Sequence, residues 1–425
     1  MTTRAECLRL DADDPLASLR DLFELPAGVI YLDGNSLGAL PRAAPARLRE
    51  VACDEWGRGL IRSWNTGWMG LAQRVGDKIA RLVGAGPGEL VVTDGTSVNV
   101  FKALNAALAL ARAGAPRDAA RHVIVSERRN FPTDLYIAQS FARERELELR
   151  LVEPHEIASA LDAASAILLL THVDYRSGRI HSMAELDRAA HAAGALTVWD
   201  LSHSAGAVPV DLARDHADFA VGCGYKYLNG GPGAPAFVWV HPRHVARMAA
   251  CDIAQPLSGW LSHAAPFEFA ETYRPAQGIA RFLCGTPPVL SLAVLECGVD
   301  TLLAAEPFGG MLALRAKSQA LTSLFIERVE ARCAGQDLTL ASPRDANMRG
   351  SQASFAHATG GYAIMQALIE RGVIGDFRAP DLVRFGFAPL YTRFVDAFDA
   401  AEHIAEVLAS GEWRAAKYAL RAAVT

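Results

Sequence analysis

Short apolar runs alternate with helical stretches between about residues 75 and 240. The runs are nearly continuous in Val, Ile and Leu, which predicts strands buried on both faces of a mostly parallel sheet. Ala- and Leu-rich segments of helical length separate them, as expected for crossover helices. The predicted strands are 90–92, 122–125, 147–152, 166–170, 196–199, 219–221 and 236–239, and the predicted helices between them are 97–113, 135–145 and 184–193.

The pattern changes after residue 300, where longer Ala-rich helices are followed by strand-like pieces. Helices are predicted over 311–335, 361–371 and 394–409. A chain of 425 residues is long enough for two domains. We therefore predict an α/β fold with an N-terminal arm over 1–60, a large domain over 61–300 and a smaller C-terminal α+β domain over 301–425.

Composition narrows the class of protein. Apolar residues make up 51% of the chain and charged residues 21%, as in an ordinary globular enzyme. The formal net charge of −5, without a basic stripe, argues against nucleic-acid binding. No stretch resembles a signal peptide or a membrane span. The seven cysteines lack a C-x-x-C pair and a metal-ligand spacing with histidine, so we expect no disulfides, no metal and a cytoplasmic location.

Lys226 is the most informative residue, because it stands alone in a run of glycines and tyrosines over 222–231. Asp200 ends a predicted strand 26 positions earlier, and His203 follows three residues later. A lysine can form a Schiff base with the aldehyde of pyridoxal 5'-phosphate (PLP), and an acid can pair with its pyridinium nitrogen. The alternative is a solvated loop lysine, so other residues are needed to distinguish it from a lysine that binds PLP.

Polar residues after two other predicted strands are candidates for the same site. Thr96 and Ser97 open a helix, where hydroxyls and free N–H groups can bind a phosphate, although a plain helix cap explains them as well. In the segment 130–134, Phe131 could stack on a pyridine ring and Asp134 could hold a polar group. A simple helix start is the alternative there. The polar run 171–178 follows a predicted buried strand and is typical either of a functional site or of a simple turn.

Trp260, Thr286 and Arg384 lie later in the chain and are suited to bind anionic groups. Trp260 offers an indole N–H and Thr286 a hydroxyl to phosphate oxygens, whereas a structural tryptophan is the usual alternative. Arg384 lies inside a predicted apolar strand, which is costly for an arginine without an anionic partner. That partner is either a substrate carboxylate or a structural carboxylate.

Together these segments resemble the kynureninase family, whose members are PLP enzymes of fold type I. The resemblance runs from about residue 30 to about residue 400 and rests on 31–38, 96–99, 131–134, 200–206, 225–233, 350–355 and 384–391. The Asp200/Lys226 pair alone indicates only the superfamily. The runs Phe131–Asp134 and Tyr225–Gly233 are much more specific and together indicate the family.

The resemblance implies roles for individual residues. Lys226 would hold PLP, Asp200 would pair with the ring nitrogen, and Phe131 would stack on the ring. The phosphate would be surrounded by Thr96, Ser97, Tyr225, Trp260 and Thr286, the last two reaching in from a second subunit of a homodimer. The rest of the cofactor pocket would be Pro132, Thr133, Asp134 and His203. Arg384 would bind the amino-acid carboxylate and Trp64 would line the aromatic end of the substrate pocket.

The implied reaction is hydrolysis of L-kynurenine, or 3-hydroxykynurenine, to anthranilate, or 3-hydroxyanthranilate, and L-alanine. Lys226 would act as the base, and Tyr225 as a proton relay or only as a phosphate ligand. Two alternatives remain. One is another fold type I enzyme, such as a cysteine desulfurase or an aminotransferase. The other is a non-catalytic PLP-binding or scaffold protein with the same fold, and the presence of Lys226, Asp200 and Arg384 together argues against it, since a scaffold needs none of them.

Overall fold

The computed structural model describes residues 2–113 and 121–422. Its largest sheet has seven strands in the spatial order β1-β7-β6-β5-β4-β2-β3. The strands are β1 Leu90–Val92, β2 Val123–Glu127, β3 Glu148–Val152, β4 Ser165–Thr171, β5 Leu196–Asp200, β6 Phe219–Gly222 and β7 Phe237–Val240. Strands β2 to β6 are mutually parallel, and β7 is antiparallel to β6 and β1. The mostly parallel sheet is therefore confirmed.

Helices cover both faces of this sheet, which explains why its strands do not alternate apolar with polar residues: all seven residues of β4 are buried. Over both parts of the described chain, the α-helices are α1 Arg4–Ala12, α2 Ala44–Glu50, α3 Met69–Leu82, α4 Thr96–Arg112, α5 Pro132–Glu144, α6 Met183–Ala193, α7 Pro242–Ala250, α8 Val289–Leu303, α9 Gly310–Arg332, α10 Gly361–Glu370 and α11 Phe394–Ser410. Within the described ranges, no helix has the length and apolar character to cross a membrane.

A second sheet lies in the C-terminal part of the chain and is antiparallel, in the order β8-β9-β11-β10. Its strands are β8 Thr339–Leu340, β9 Gln352–Ala356, β10 Asp376–Arg378 and β11 Leu382–Gly386. Phe325 of α9 packs against Phe355, Phe385 and Phe387 in a hydrophobic cluster separate from the one under the large sheet. The two clusters support a two-domain organisation, while the domain bounds given above stay a prediction.

The N-terminal segment touches both hydrophobic clusters. Leu16, Leu19 and Phe23 pack in the cluster of the large sheet, whereas Leu32 packs in the C-terminal cluster. The short strand Ile30–Tyr31 pairs in parallel with Val373–Ile374. Residues 30–38 are thereby brought next to the end of β11, where the Gly386 N–H donates to the Leu32 carbonyl.

Candidate active site

The carboxyl ends of the parallel strands meet around a cavity of about 300 Å³. Thr171 ends β4, Asp200 ends β5, and Lys226 follows β6 after a short loop. This edge is where ligands bind in sheets of this kind. The cavity is lined by Thr96, Ser97, Phe131, Thr133, Asp134, Thr171, Tyr175, Asp200, Ser202, His203, Tyr225 and Lys226. The structure thus brings together most of the residues singled out in the sequence.

The amine of Lys226 is buried and held by an imidazole. Its side chain is 8% exposed, and Nζ lies 2.9 Å from Nε2 of His203. Burial and the nearby positive charge of Lys226 lower the pKa of His203 well below its ordinary value, so His203 is neutral and accepts the hydrogen bond. The rings of Phe131 and Tyr225 lie 5.6 and 5.9 Å from Nζ. The lysine is therefore a fixed amine in a confined, partly aromatic space.

Two carboxyl groups face each other on the opposite side of the cavity. Oδ1 of Asp200 accepts hydrogen bonds from N and Oγ of Ser202 at 2.8 and 2.6 Å, which fixes its position. Burial, together with the charge of Asp200, raises the pKa of Asp134 well above its ordinary value. Oδ2 of Asp134 is buried without a hydrogen-bond partner among the described residues. The pair is suited to a ligand that brings a donor or a positive charge.

The N-terminus of α4 supplies an anion site at the edge of the cavity. Thr96 and Ser97 are the first helical residues, so their hydroxyls and unpaired backbone N–H groups face the cavity end. The preceding loop is held by Lys102, which is fully buried and whose Nζ lies 2.5 Å from Asp94 Oδ2 and 2.6 Å from the Phe282 carbonyl. A buried lysine thus anchors the loop that precedes α4.

The residues around the cavity fit PLP. A hydroxyl-rich helix N-terminus suits its phosphate, the amine of Lys226 suits its aldehyde, and the anion of Asp200 suits its pyridinium nitrogen. The unpartnered Oδ2 of Asp134 marks a buried polar position that the protein alone leaves unsatisfied. This donor set matches the cofactor more closely than a metal, because it contains a primary amine and aromatic rings.

Three lining residues were missed as site residues in the sequence, namely Thr171, Tyr175 and Ser202. Tyr175 contacts Phe131 edge to face, with ring centroids 5.3 Å apart. Both Thr171 and Tyr175 lie in the polar run after β4, which was identified only as site-like. Ser202 lies between Asp200 and His203, so its proximity to two candidates was the available signal.

Arg384 lies outside the cavity lining and is paired within the protein. It is 1% exposed on β11, directly opposite Asp376 on β10. Its Nε donates to Asp376 Oδ1 at 2.6 Å, and its Nη2 donates to Asp376 Oδ2. Nη1 donates to the Tyr175 carbonyl and Nη2 lies 3.4 Å from Ser36 Oγ. The structural ion pair raised as an alternative therefore exists, and it is adjacent to the cavity through Tyr175.

Four other candidates also lie outside the lining. Trp64 packs edge to face on Trp260 with centroids 5.5 Å apart, and Trp260 Nε1 donates to Thr286 Oγ1 at 3.3 Å. Thr286 is exposed, so this group forms a surface cluster. Pro132 begins α5 and lines a neighbouring groove of about 630 Å³. Within one chain, these residues do not reach the cavity.

Asp33, beside the Asp376–Arg384 pair, gives a pH-dependent prediction. Burial and the charge of Asp376 raise the pKa of Asp33 to about 8. The folded protein then keeps a proton that the unfolded chain loses near pH 4, so stability falls as the pH rises from about 4 to 8. In Asp33→Asn we expect that fall to shrink, by up to about 4 kcal/mol between pH 5 and 8, in urea unfolding. An unchanged pH profile would contradict the assignment, and Asp13→Asn is an exposed control.

Comparisons with known proteins point to one family. The model of the kynureninase C-terminal domain matches residues 314–404. The chain is 56% identical to the kynureninase of Burkholderia pseudomallei (strain 1106a) and 54% identical to that of Pseudomonas fluorescens, and in both cases the match covers 100% of each chain.

Solved structures with similar folds have much lower identity. A C-DES mutant with glycine covalently linked to its PLP cofactor has a TM-score of 0.76 at 17% identity, covering 91% of this chain and 98% of that one. A cysteine desulfurase from Thermococcus onnurineus has a TM-score of 0.75 at 19% identity, covering 92% and 98%. These two likenesses show the fold that the sequence predicted.

Proposed function

The chain belongs to the kynureninase family, and on that premise we propose that it hydrolyses the Cβ–Cγ bond of L-kynurenine to give anthranilate and L-alanine. The observation that carries this proposal is the full-length identity of 56% to a kynureninase. The cofactor is PLP, which the lining of the cavity fits. 3-Hydroxykynurenine, which differs by one ring hydroxyl, is the second substrate to test.

We assign the chemistry to residues that the structure brings together. When bound, PLP withdraws the electron pair left at the substrate α-carbon. Lys226 is placed to remove the α-proton, since it is the amine of the cavity lining, and neutral His203 is placed to orient Nζ by accepting its hydrogen bond. Asp200, whose Oδ1 is fixed by two hydrogen bonds from Ser202, would pair with the pyridine nitrogen. Thr96 and Ser97 hold the phosphate, and Tyr225 either binds it or relays a proton.

The proposal is tested by quantifying both products. PLP-loaded enzyme and L-kynurenine should give equal amounts of anthranilate and alanine. The same enzyme should release no sulfide from L-cysteine, which separates it from a desulfurase. Alanine and sulfide from cysteine, without anthranilate from kynurenine, would favour that alternative.

Arg384 is proposed to bind the substrate carboxylate in addition to Asp376. An arginine has five N–H groups, and the contacts with Asp376, Tyr175 and Ser36 use four of them. The remaining Nη1 N–H has no partner among the described residues, and it can donate to a carboxylate. The positive charge of Arg384 also helps to lower the pKa of His203, so it acts close to the cavity.

Replacement of Arg384 by methionine is expected to raise the KM for L-kynurenine at least about tenfold, because a charge-assisted contact is lost. The affinity for PLP should change little. Initial-rate kinetics and cofactor titration measure the two effects. Arg384→Lys is the matched control, since it keeps a charge for Asp376. An unchanged KM in Arg384→Met would show that the residue serves only the ion pair.

We also propose a homodimer, in which Trp260 and Thr286 reach the partner's cofactor phosphate. Support comes from a set of exposed apolar side chains around these residues. Trp56 is 60% exposed, Ile61 76% and Phe267 67%, and a groove lined by Trp56, Trp68 and Leu290 runs beside them. Exposed apolar surface of this kind is typical of an interface between chains. Light scattering of Ile61→Asp against the unmodified protein tests it, and an unchanged monomer mass in both would contradict it.

The compartment is proposed to be the cytoplasm. All seven cysteines are free, and three of them are buried as thiols. Free thiols in this number are typical of a reducing compartment.

A further inference from the structure

Arg281 is a buried arginine without a counter-charge. It lies in the short helical turn Gly278–Phe282 and is 5% exposed. Its Nε and Nη1 are buried and have no hydrogen-bond partner among residues 2–113 and 121–422. The other two arginines that are buried in the described ranges have hydrogen-bond partners: Arg384 binds Asp376, and Arg349 donates to the Pro343 carbonyl, although its Nε also lacks a partner. Arg281 therefore differs from them.

Burial without a partner is unfavourable for a guanidinium. Buried charges in proteins are nearly always paired or hydrogen-bonded, because desolvation otherwise opposes the charged form. Burial lowers the pKa of Arg281, and within the described chain only the phenol of Tyr273 acts in the opposite direction. An arginine does not lose its proton at neutral pH, so its free N–H groups are suited to an anion or a set of acceptors.

Arg281 lines a cavity of about 380 Å³ on the side of α7, which is open to solvent where Ala246 and Ala249 are exposed. The other walls are mostly apolar and include Val240, Val245, Ala246 and Ile279. This volume is within the range of small-molecule sites, and an apolar wall with a few fixed polar groups is their usual composition. The cavity shares no lining residue with the active-site cavity.

We infer that this cavity binds a small monocarboxylate with an apolar body, whose carboxylate pairs with the guanidinium of Arg281. A guanidinium N–H group donates a charge-assisted hydrogen bond to a carboxylate. One guanidinium neutralises one negative charge, and Glu89 also lines the cavity, which disfavours phosphates and other polyanions. Glu89 is already occupied, because its Oε2 accepts from the Gly86 N–H and from Trp239 Nε1.

The site is connected to the cofactor-binding elements through the backbone. Arg281 precedes Phe282, whose carbonyl accepts from the buried Lys102 that anchors Asp94. The same segment continues to Thr286. A ligand at Arg281 thus contacts the turn that supports both the α4 loop and Thr286, although the inference of a site does not depend on the proposed reaction.

The test uses 4-fluorobenzoate as the probe and PLP-loaded enzyme. Because Arg384 is proposed to bind carboxylates as well, the measurement is made in the Arg384→Met background. Fluorine NMR titration should show saturable binding, and adding Arg281→Met should weaken it at least about tenfold. The uncharged 4-fluorobenzyl alcohol should bind at least about tenfold more weakly than the acid. Arg188→Met, at an exposed arginine of α6, is the matched control and should leave binding unchanged.

A second variant keeps the inference testable if Arg281→Met does not fold. Ala246→Phe adds a bulky ring at the exposed wall of the cavity and retains the arginine, so it should also weaken binding of the acid. Circular dichroism and the mass of the assembly serve as fold controls. Equal binding in the presence and absence of Arg281 would overturn the inference. It would also be overturned if the probe fails to bind and Arg281→Met alters the mass, because a partner chain would then supply the anion.

Discussion

Replacing Lys226 with alanine is expected to abolish kynurenine hydrolysis and the covalent attachment of PLP. Lys226 is the amine of the cavity lining, buried and fixed 2.9 Å from His203. No other lining side chain can bond to the aldehyde in the same way. We expect the rate to fall by at least about 10,000-fold, since cofactor attachment and proton transfer depend on the same atom.

Two measurements check this result. Anthranilate release gives the rate, and mass spectrometry after borohydride reduction locates the pyridoxyl group, which should lie on Lys226 in the unmodified enzyme. Lys226→Arg keeps the charge beside His203 and should also be inactive, whereas Lys417→Ala, at an exposed lysine, should be fully active. Full activity of Lys226→Ala, or a pyridoxyl group on another residue, would end the proposal.

The second large effect is expected from Asp200→Ala, which should retain attached PLP and lose proton transfer at the α-carbon. Asp200 is 2% exposed, and two hydrogen bonds from Ser202 fix its Oδ1. An opposite charge in contact shifts a partner's pKa by about 1 to 3 units, so removing it favours the uncharged ring nitrogen. We expect α-proton exchange to slow by about 10- to 1,000-fold.

Proton NMR of L-alanine in deuterated buffer measures that exchange apart from C–C cleavage. Asp134→Asn is the matched control: it changes a carboxyl of the same cavity, and it should weaken PLP binding more than it slows exchange. Normal exchange in Asp200→Ala would show that another group faces the ring nitrogen.

The sequence predicted the large sheet well for a physical reason. A strand covered on both faces has to be apolar throughout, and every predicted strand coincides with an observed one to within two residues. Helix α8 was not predicted, because Val289–Leu303 is mostly apolar and lacks the periodicity of a one-sided helix. Helix α3 was also missed, although its apolar face follows a helical period.

The site residues were predictable where reactive side chains lie at the carboxyl ends of predicted parallel strands. Lys226, Asp200 and His203 follow strands whose carboxyl ends have to meet, so their proximity follows from the topology. The pairing of Arg384 was not predictable, because it depends on the register that sets Asp376 opposite it across β10 and β11. The lack of a hydrogen-bond partner for Arg281 depends on packing among segments far apart in the chain, and local sequence patterns do not predict such packing.

The surface cluster of half-buried Trp64 and Trp260 with exposed Thr286 was not predictable for a different reason. The resemblance predicted Trp260 and Thr286 as ligands of a cofactor in a second subunit. A single chain cannot test that role, and within it the two side chains bond to each other at the surface. The assignment of Trp260 and Thr286 as phosphate ligands therefore depends on the proposed dimer.

The most direct test of the central claim is to run the reaction in water enriched in oxygen-18. Hydrolysis of the Cβ–Cγ bond transfers an oxygen of water to the carbonyl carbon that leaves. The account predicts anthranilate with solvent oxygen in its carboxylate, formed in equal amount with L-alanine. Unlabelled anthranilate, or consumption of kynurenine by transamination without alanine, would contradict it.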